Sequence, residues 1–167
     1  MEYTHRYESP LGSMTMTSDG EALTGLRFDR QEHAADTYAE ESLPVFEETV
    51  RWLDLYFSGR IPDFTPSLRM AGTPFRKAVW EILLTIPYGR TMTYGEVAAK
   101  IAEQQGRARM SAQAVGGAAS RNPVALIVPC HRVIGSDGSL TGYAAGTDRK
   151  RRLLEMEKVL LDTAELP

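Results

Sequence analysis

The chain has 167 residues, a net charge of −3 and a single cysteine, which suits one domain or two small ones with a buried core. One cysteine excludes an intramolecular disulfide, and no apolar run approaches the ~20 residues of a membrane-spanning helix. Because the first residues are charged and unlike a secretory signal, we expect a cytoplasmic protein with no membrane partner.

Charge is distributed unevenly along the chain. Residues 1–72 contain 6 basic and 13 acidic side chains, whereas residues 73–167 contain 13 basic and 9 acidic ones. This asymmetry indicates that only the second half faces a polyanion such as nucleic acid. Ordinary scatter of surface charge is the alternative.

The first half predicts a small antiparallel sheet and a helix. Residues 3–7, 13–18 and 22–28 alternate in polarity and are separated by turn signals, which favours a three-stranded meander. Residues 29–43 are charged and irregular, as in a surface loop. Residues 44–59 carry an apolar stripe at helical spacing. With no catalytic constellation here, we expect this half to brace the other.

The second half predicts a helix–turn–helix. Thr73 before Pro74 begins one helix, Thr93 and Glu96 form a capping box for the next, and a third runs from about 111 to 120. In a basic half this pattern is typical of DNA binding, although two packed helices without a ligand fit it too. Gly116-Gly117 costs the third helix about 2 kcal/mol. We therefore expect a close backbone approach there, to a neighbouring helix or a minor groove.

The cysteine follows an apolar run. Residues 124–128 predict a buried strand or extended segment, and Pro129 ends it just before Cys130 and His131. A thiol at the end of a rigid apolar element suits a nucleophile, yet a lone cysteine is more often a small buried hydrophobe.

A last helix is predicted from Thr147, as its cap, to about Lys158. A run of four basic residues lies at its start and indicates either a phosphate-facing surface or a solvated charged face: Arg149, Lys150, Arg151 and Arg152.

Several short motifs, in matching order and spacing, resemble the O6-alkylguanine-DNA alkyltransferases, also called methylated-DNA–protein-cysteine methyltransferases. The similarity is strong over about 73–160 and loose before it. The motifs are Pro129-Cys130-His131-Arg132-Val133, Asn122-Pro123, Gly142-Tyr143-Ala144-Ala145-Gly146, Leu153-Leu154-Glu155-Met156-Glu157, Thr73-Pro74-Phe75 and Ile86-Pro87-Tyr88-Gly89.

The resemblance implies an α+β fold in two parts. Residues 1–72 would form a ribonuclease-H-like α/β subdomain with a small antiparallel sheet and a helix. Residues 73–167 would form a mostly helical, winged-helix-like domain that binds DNA and carries out catalysis.

The implied activity is DNA repair by direct reversal. A methyl or other alkyl group would move irreversibly from O6-alkylguanine in double-stranded DNA to Cys130, once per protein molecule. The target base must be flipped out of the duplex, and O4-alkylthymine is left open as a second substrate. We expect a monomer that needs no metal and no cofactor.

The resemblance also implies roles at the site. Cys130 would be the nucleophile, His131 its base through a water, Glu157 the group that orients the imidazole, and Asn122 a brace for the turn. The flipped base would be contacted by the Tyr94 hydroxyl, by the backbone N–H groups of Val133 and Ala144, and by Tyr143 as a wall.

DNA would be bound through its minor groove. The expected contacts are Thr93, Ala112, Gln113, Ala114, Gly116 and Arg121. Gln113 departs from the commonest family pattern, which has an arginine that fills the gap left by the flipped base. Glutamine lacks the charge and stacks less well, so we expect a weaker wedge.

Three other functions are open to this sequence. The first is a non-catalytic alkyltransferase-like protein that binds alkylated DNA, although such proteins replace the cysteine. The second is a cysteine hydrolase using Cys130, His131 and Glu157. The third is a winged-helix DNA binder in which Cys130 is structural.

Overall fold

A computed structural model describes residues 2–29, 42–140, 143 and 145–158. The chain divides into two compact units, Met1–Ala71 with Pro123–Ala125, and Gly72–Asn122 with Leu126–Pro167. Within the described ranges, no helix is both long and apolar enough to cross a membrane.

The first unit contains the predicted meander. Strands β1 (Tyr3–Ser9), β2 (Gly12–Ser18) and β3 (Leu23–Phe28) form an antiparallel sheet in that order. Helix α1 (Pro44–Phe57) contacts β1 and β2, and buries its apolar stripe. The predicted loop 29–43 lies mostly outside the described residues.

A short segment from the second half of the sequence also belongs to this unit. Leu26 on β3 donates its N–H to the carbonyl of Pro123 and accepts the N–H of Ala125, each at 2.8 Å. The chain therefore returns to the first sheet between Asn122 and the cysteine turn.

The second unit is mostly helical. It contains α2 (Pro74–Leu83), α3 (Tyr94–Gln104), α4 (Ala112–Ser120) and α5 (Thr147–Met156), with a short parallel pair β4 (Met92–Thr93) and β5 (Val133–Ile134). Helices α2, α3 and α4 pack on one another, and Trp80 on α2 donates its indole N–H to Ala118 O at 2.9 Å. The α+β class is confirmed.

Local helix signals are confirmed as predicted. Thr73 caps α2 through the N–H of Arg76, and Thr93 and Glu96 form both bonds of the capping box of α3. These contacts are set by residues three apart in sequence, so they could be predicted without the tertiary fold.

Two predictions are wrong. Residues 124–128 are not a strand: after an isolated bridge at Val124 the chain turns, with Leu126 at φ 71°. The run is apolar because it is largely buried, and burial alone does not distinguish strand from turn. Helix α5 is capped by Gly146 rather than Thr147, because the φ of 101° at this position suits glycine.

Candidate active site

The Cys130 thiol lies at the first residue of a 3₁₀ turn, Cys130–Arg132, and is 8% exposed. The side-chain amide of Asn122 donates to Sγ at 3.2 Å and to the carbonyl of Val128 at 2.8 Å. Burial raises the pKa of the thiol above its ordinary value. The Asn122 hydrogen bond and the charge of Lys150 act in the opposite direction and offset part of this rise. Asn122 thus both braces the turn and favours the thiolate.

The imidazole of His131 is fully buried beside a carboxylate. Its Nε2 lies 2.8 Å from Oε2 of Glu157, whose side chain is also completely buried. Burial lowers the pKa of His131, and Glu157 partly opposes this. The imidazole is therefore neutral at neutral pH and able to accept a proton.

Glu157 accepts from three other groups. Arg132 donates from Nε to Oε1 at 2.9 Å and from Nη2 to Oε2 at 3.0 Å, and the N–H of Gly89 donates to Oε1 at 3.0 Å. Burial acts to raise the pKa of Glu157, but its hydrogen bonds to His131 and Arg132 and the positive charge of Arg132 hold it at about 2. The carboxylate is therefore ionised at neutral pH.

Sequence reasoning assigned no role to Arg132 or Gly89. Arg132 also donates from Nη1 to the carbonyl of Ile86 at 2.7 Å, so it joins the cysteine turn to the segment after α2. Its place inside the Pro-Cys-His-Arg-Val motif was the available signal. Gly89 acts through its backbone, which leaves no side-chain signal.

Tyr94, the first residue of α3, contacts a buried lysine. Nζ of Lys150 donates to the Tyr94 hydroxyl at 3.4 Å and to the carbonyl of Val133. Burial, together with the charge of Cys130, raises the pKa of Tyr94, so the phenol remains a donor. Lys150 is 0% exposed. At this position the basic run therefore forms neither a phosphate-facing surface nor a solvated charged face, and both predictions are wrong here.

The remaining predicted base contacts are partly described. Tyr143 is buried, and its ring lies edge-on to that of His131 with centroids 6.4 Å apart. Within the described part of the chain, its hydroxyl has no hydrogen-bond partner. Ala144 lies outside the described residues.

An open groove of about 780 Å³ lies along α4. It brings together four of the residues expected to contact substrate or DNA. The other such residues that the structure describes do not line it: Thr93, Ala114, Arg121, Val133 and Tyr143. Sequence reasoning did not single out its other wall, the turn after β5. The lining residues are Tyr94, Gly95, Ala112, Gln113, Gly116, Gly117, Ser120, Gly135, Ser136 and Asp137.

The two glycines of α4 are explained by this groove. A Cβ at Gly117 would meet nothing within 4 Å, and one at Gly116 would lie 3.8 Å from the Tyr94 ring, an ordinary contact. Neither glycine is therefore required by packing against a neighbouring helix. Both glycines line the groove, and their lack of a side chain keeps this face of α4 open.

A helix–turn–helix with an open groove, beside a buried thiol, imidazole and carboxylate, is the arrangement expected of a DNA-binding protein that reacts through a cysteine. Residues 3–70 match the family model of the 6-O-methylguanine DNA methyltransferase ribonuclease-like domain, and residues 74–159 match that of the DNA binding domain.

Proteins of known family are similar to this chain over nearly its whole length. A methylated-DNA–protein-cysteine methyltransferase of Mycobacterium leprae is 46% identical over 161 residues, which is 95% of this chain and 93% of the relative. The crystal structure of Mycobacterium tuberculosis O6-methylguanine methyltransferase matches with a TM-score of 0.81 and 42% identity, covering 100% of this chain and 96% of that one.

A crystal structure of Mycobacterium tuberculosis OGT in complex with DNA matches with a TM-score of 0.80 and 44% identity, over 93% of this chain and 92% of that one. The chain belongs to the methylated-DNA–protein-cysteine methyltransferase family, and the resemblance in its motifs is confirmed.

Proposed function

We propose that this chain repairs O6-alkylguanine in double-stranded DNA by moving the alkyl group onto Cys130, once per protein molecule. Relatives carry the name methylated-DNA–protein-cysteine methyltransferase, and one related structure contains DNA. The observation that carries the proposal is the buried His131–Glu157 pair next to Cys130, the chain's only cysteine. DNA repair by alkyl transfer to a cysteine requires this sulfur.

The reaction is a displacement at carbon. The Cys130 thiolate attacks the alkyl carbon, a C–S bond forms, and the C–O6 bond breaks with its electron pair going to the guanine. The thiol proton passes to His131, and the Tyr94 hydroxyl donates a proton to the departing base. The thioether product is stable, which makes the transfer irreversible.

His131 accepts the proton through the ring nitrogen opposite Glu157. Because Nε2 lies against Oε2 of Glu157, Nδ1 is the nitrogen that receives the thiol proton, by way of a water. The ionised Glu157 then stabilises the imidazolium. This is the nucleophile, base and orienting group arrangement of hydrolase triads, applied to sulfur.

DNA binds in the groove along α4 through its minor groove. The small face of α4 admits the duplex, Gln113 wedges into the space left by the flipped base, and Arg121 contacts a phosphate. The N–H of Ala144 holds O6 and Tyr143 walls the pocket, whereas the N–H of Val133, also expected to contact O6, donates instead to the carbonyl of Cys130 within its own turn. A protein that reacts once has no need of a partner subunit, so we propose a monomer whose residues 1–72 brace the catalytic domain.

The test is intact-protein mass spectrometry after mixing with a duplex that carries one O6-methylguanine. The expected result is the mass of one added methylene unit, located on Cys130 by peptide mapping and saturating at one per protein. Cys130→Ser is the control, since it should bind the same duplex without any change in mass.

Two other results would contradict the proposal. Tight lesion binding without a mass change would identify a non-catalytic alkylated-DNA-binding protein. Neither binding nor a mass change on any alkylated duplex would contradict both lesion recognition and repair.

A further inference from the structure

Lys150 is an unusual lysine. Its three basic neighbours on α5 are partly or fully exposed, whereas Lys150 is 0% exposed. Burying an ammonium group costs free energy unless the group is paired and hydrogen-bonded. A neutral side chain of similar length would fill the same space without that cost, so the charge itself requires an explanation.

The contacts of Lys150 connect the two sides of the site. Its ammonium donates to the carbonyl of Val133, the residue that follows the Cys130–Arg132 turn, and to the hydroxyl of Tyr94 on α3. It also lies 5.6 Å from the centroid of the Tyr94 ring, in cation–π geometry. One side chain thus holds both the cysteine turn and the groove tyrosine.

The charge of Lys150 also acts on the sulfur. It lowers the pKa of Cys130, and the charge of Cys130 in return raises the pKa of Lys150, which burial lowers to about 8. Arg132, the other cation of the site, is paired with Glu157. Because the ammonium is hydrogen-bonded to the carbonyl of Val133, three residues after Cys130, it lies next to the cysteine turn, where a positive charge favours the thiolate.

From this geometry we infer that Lys150 is a positioning residue: it stabilises the thiolate of Cys130 electrostatically while it fixes the Tyr94 hydroxyl at the groove. The inference rests on the proposed function, because it assigns the thiolate as the reacting form. The titratable groups that face the thiol and the ammonium are Tyr94, His131 and Tyr143.

The test measures the pH dependence of Cys130 alkylation by iodoacetamide, without DNA. Lys150→Met should raise the thiol pKa by about one, which is about tenfold slower alkylation at neutral pH. Lys150→Arg should restore most of the wild-type profile. Arg152→Met, which removes an exposed charge from the same helix, should leave the profile unchanged.

A purely structural role predicts a different result. It would lower the unfolding midpoint of Lys150→Met and leave the alkylation profile at its wild-type position, and that outcome overturns the inference. Since iodoacetamide needs no DNA, a chain that shows the Lys150 effect but transfers no methyl group would contradict the proposed function alone.

A second measurement covers the case in which Lys150→Met fails to fold. In ¹³C NMR of lysine-labelled protein, the pKa of Lys150 should be lower in Cys130→Ser than in wild type, because the variant cannot form a thiolate. Equal Lys150 pKa values in the two proteins would overturn the inference.

Discussion

Glu157 is the residue on which the charged part of the site depends. Its carboxylate accepts from His131, from two nitrogens of Arg132 and from the N–H of Gly89. Removing its charge leaves the Arg132 guanidinium buried without a counter-ion. The same change removes the carboxylate that is hydrogen-bonded to Nε2 of His131.

We therefore expect Glu157→Gln to lose about 3–5 kcal/mol of stability, the usual result of breaking a buried ion pair from one side. Urea unfolding at neutral pH would measure it. Glu155→Gln is the matched control, because Glu155 is an exposed carboxylate two residues away. Equal unfolding midpoints for the two variants would contradict the role assigned to Glu157.

The same carboxylate predicts an acid-sensitive component of stability. Its pKa is about 2 in the folded chain and about 4.3 in an unfolded chain. Since the folded value is the lower, the stabilisation is complete above the unfolded pKa and is lost as the pH falls towards 2, an effect of about 3 kcal/mol. Unfolding free energies from pH 2 to 7 should show this loss in wild type and not in Glu157→Gln. Parallel curves for the two proteins would refute it.

Tyr94 allows the chemistry of the leaving group to be separated from that of the thiol. Tyr94→Phe removes the proton donor, so methyl transfer from O6-methylguanine DNA should slow by about 10²-fold or more, the usual contribution of a positioned acid. Alkylation of Cys130 by iodoacetamide, which releases iodide and needs no such donor, should stay close to wild type. Equal slowing of both reactions would show that the hydroxyl acts on the thiol instead.

At the scale of an element, the glycines of α4 lower the stability of the helix and keep the groove beside it open. Gly117 lies in the helix interior, lines the groove, and has open space where a Cβ would be. Gly117→Ala should therefore stabilise the chain by about 1 kcal/mol through helix propensity. The added methyl group projects into the groove and should weaken DNA binding.

Thermal unfolding and a DNA-binding titration on the same variant would test both effects. Gly116→Ala provides the comparison, because its methyl group would meet the Tyr94 ring at 3.8 Å rather than open space. A Gly117→Ala variant that binds DNA as tightly as wild type would contradict the assignment of this face.

Two helix starts could be read from the sequence because each depends on residues three apart, whereas the start of α5 depends on the backbone conformation of Gly146. The caps at Thr73 and at Thr93 with Glu96 are these two. The carboxylate cluster could not be read, since Gly89, Arg132 and Glu157 come from distant segments and meet only in the fold. Lys150 was misplaced for a related reason: a basic run in sequence does not reveal which member turns inward.

At the scale of the whole molecule, the chain passes between its two units more than once. Pro123–Ala125 belongs to the first unit, while Asn122 and Cys130, on either side of it, belong to the second. Because this segment pairs with Leu26, unfolding of the first unit must release the chain just before the cysteine turn.

We accordingly expect a single cooperative urea transition. In Trp80→Phe, the fluorescence of Trp52 reports on the first unit and the accessibility of the Cys130 thiol reports on the second. Their midpoints should coincide. In the control Trp52→Phe, both the remaining Trp80 and Cys130 lie in the second unit, so coincidence is expected there in any case. Separate midpoints in Trp80→Phe alone would contradict the prediction.

The order in which the chain is synthesised has a consequence for Pro123–Ala125, the segment that pairs with Leu26 of the first sheet. A ribosome releases β3 long before residues 123–125. The first sheet therefore lacks the hydrogen bonds between Leu26 and this segment until those residues have emerged as well. Glu157 emerges later still. Until then, His131 beside the thiol lacks its carboxylate partner, and Arg132 lacks its counter-ion. A ribosome-bound chain thus carries its one cysteine in an unassembled site until Glu157 has emerged.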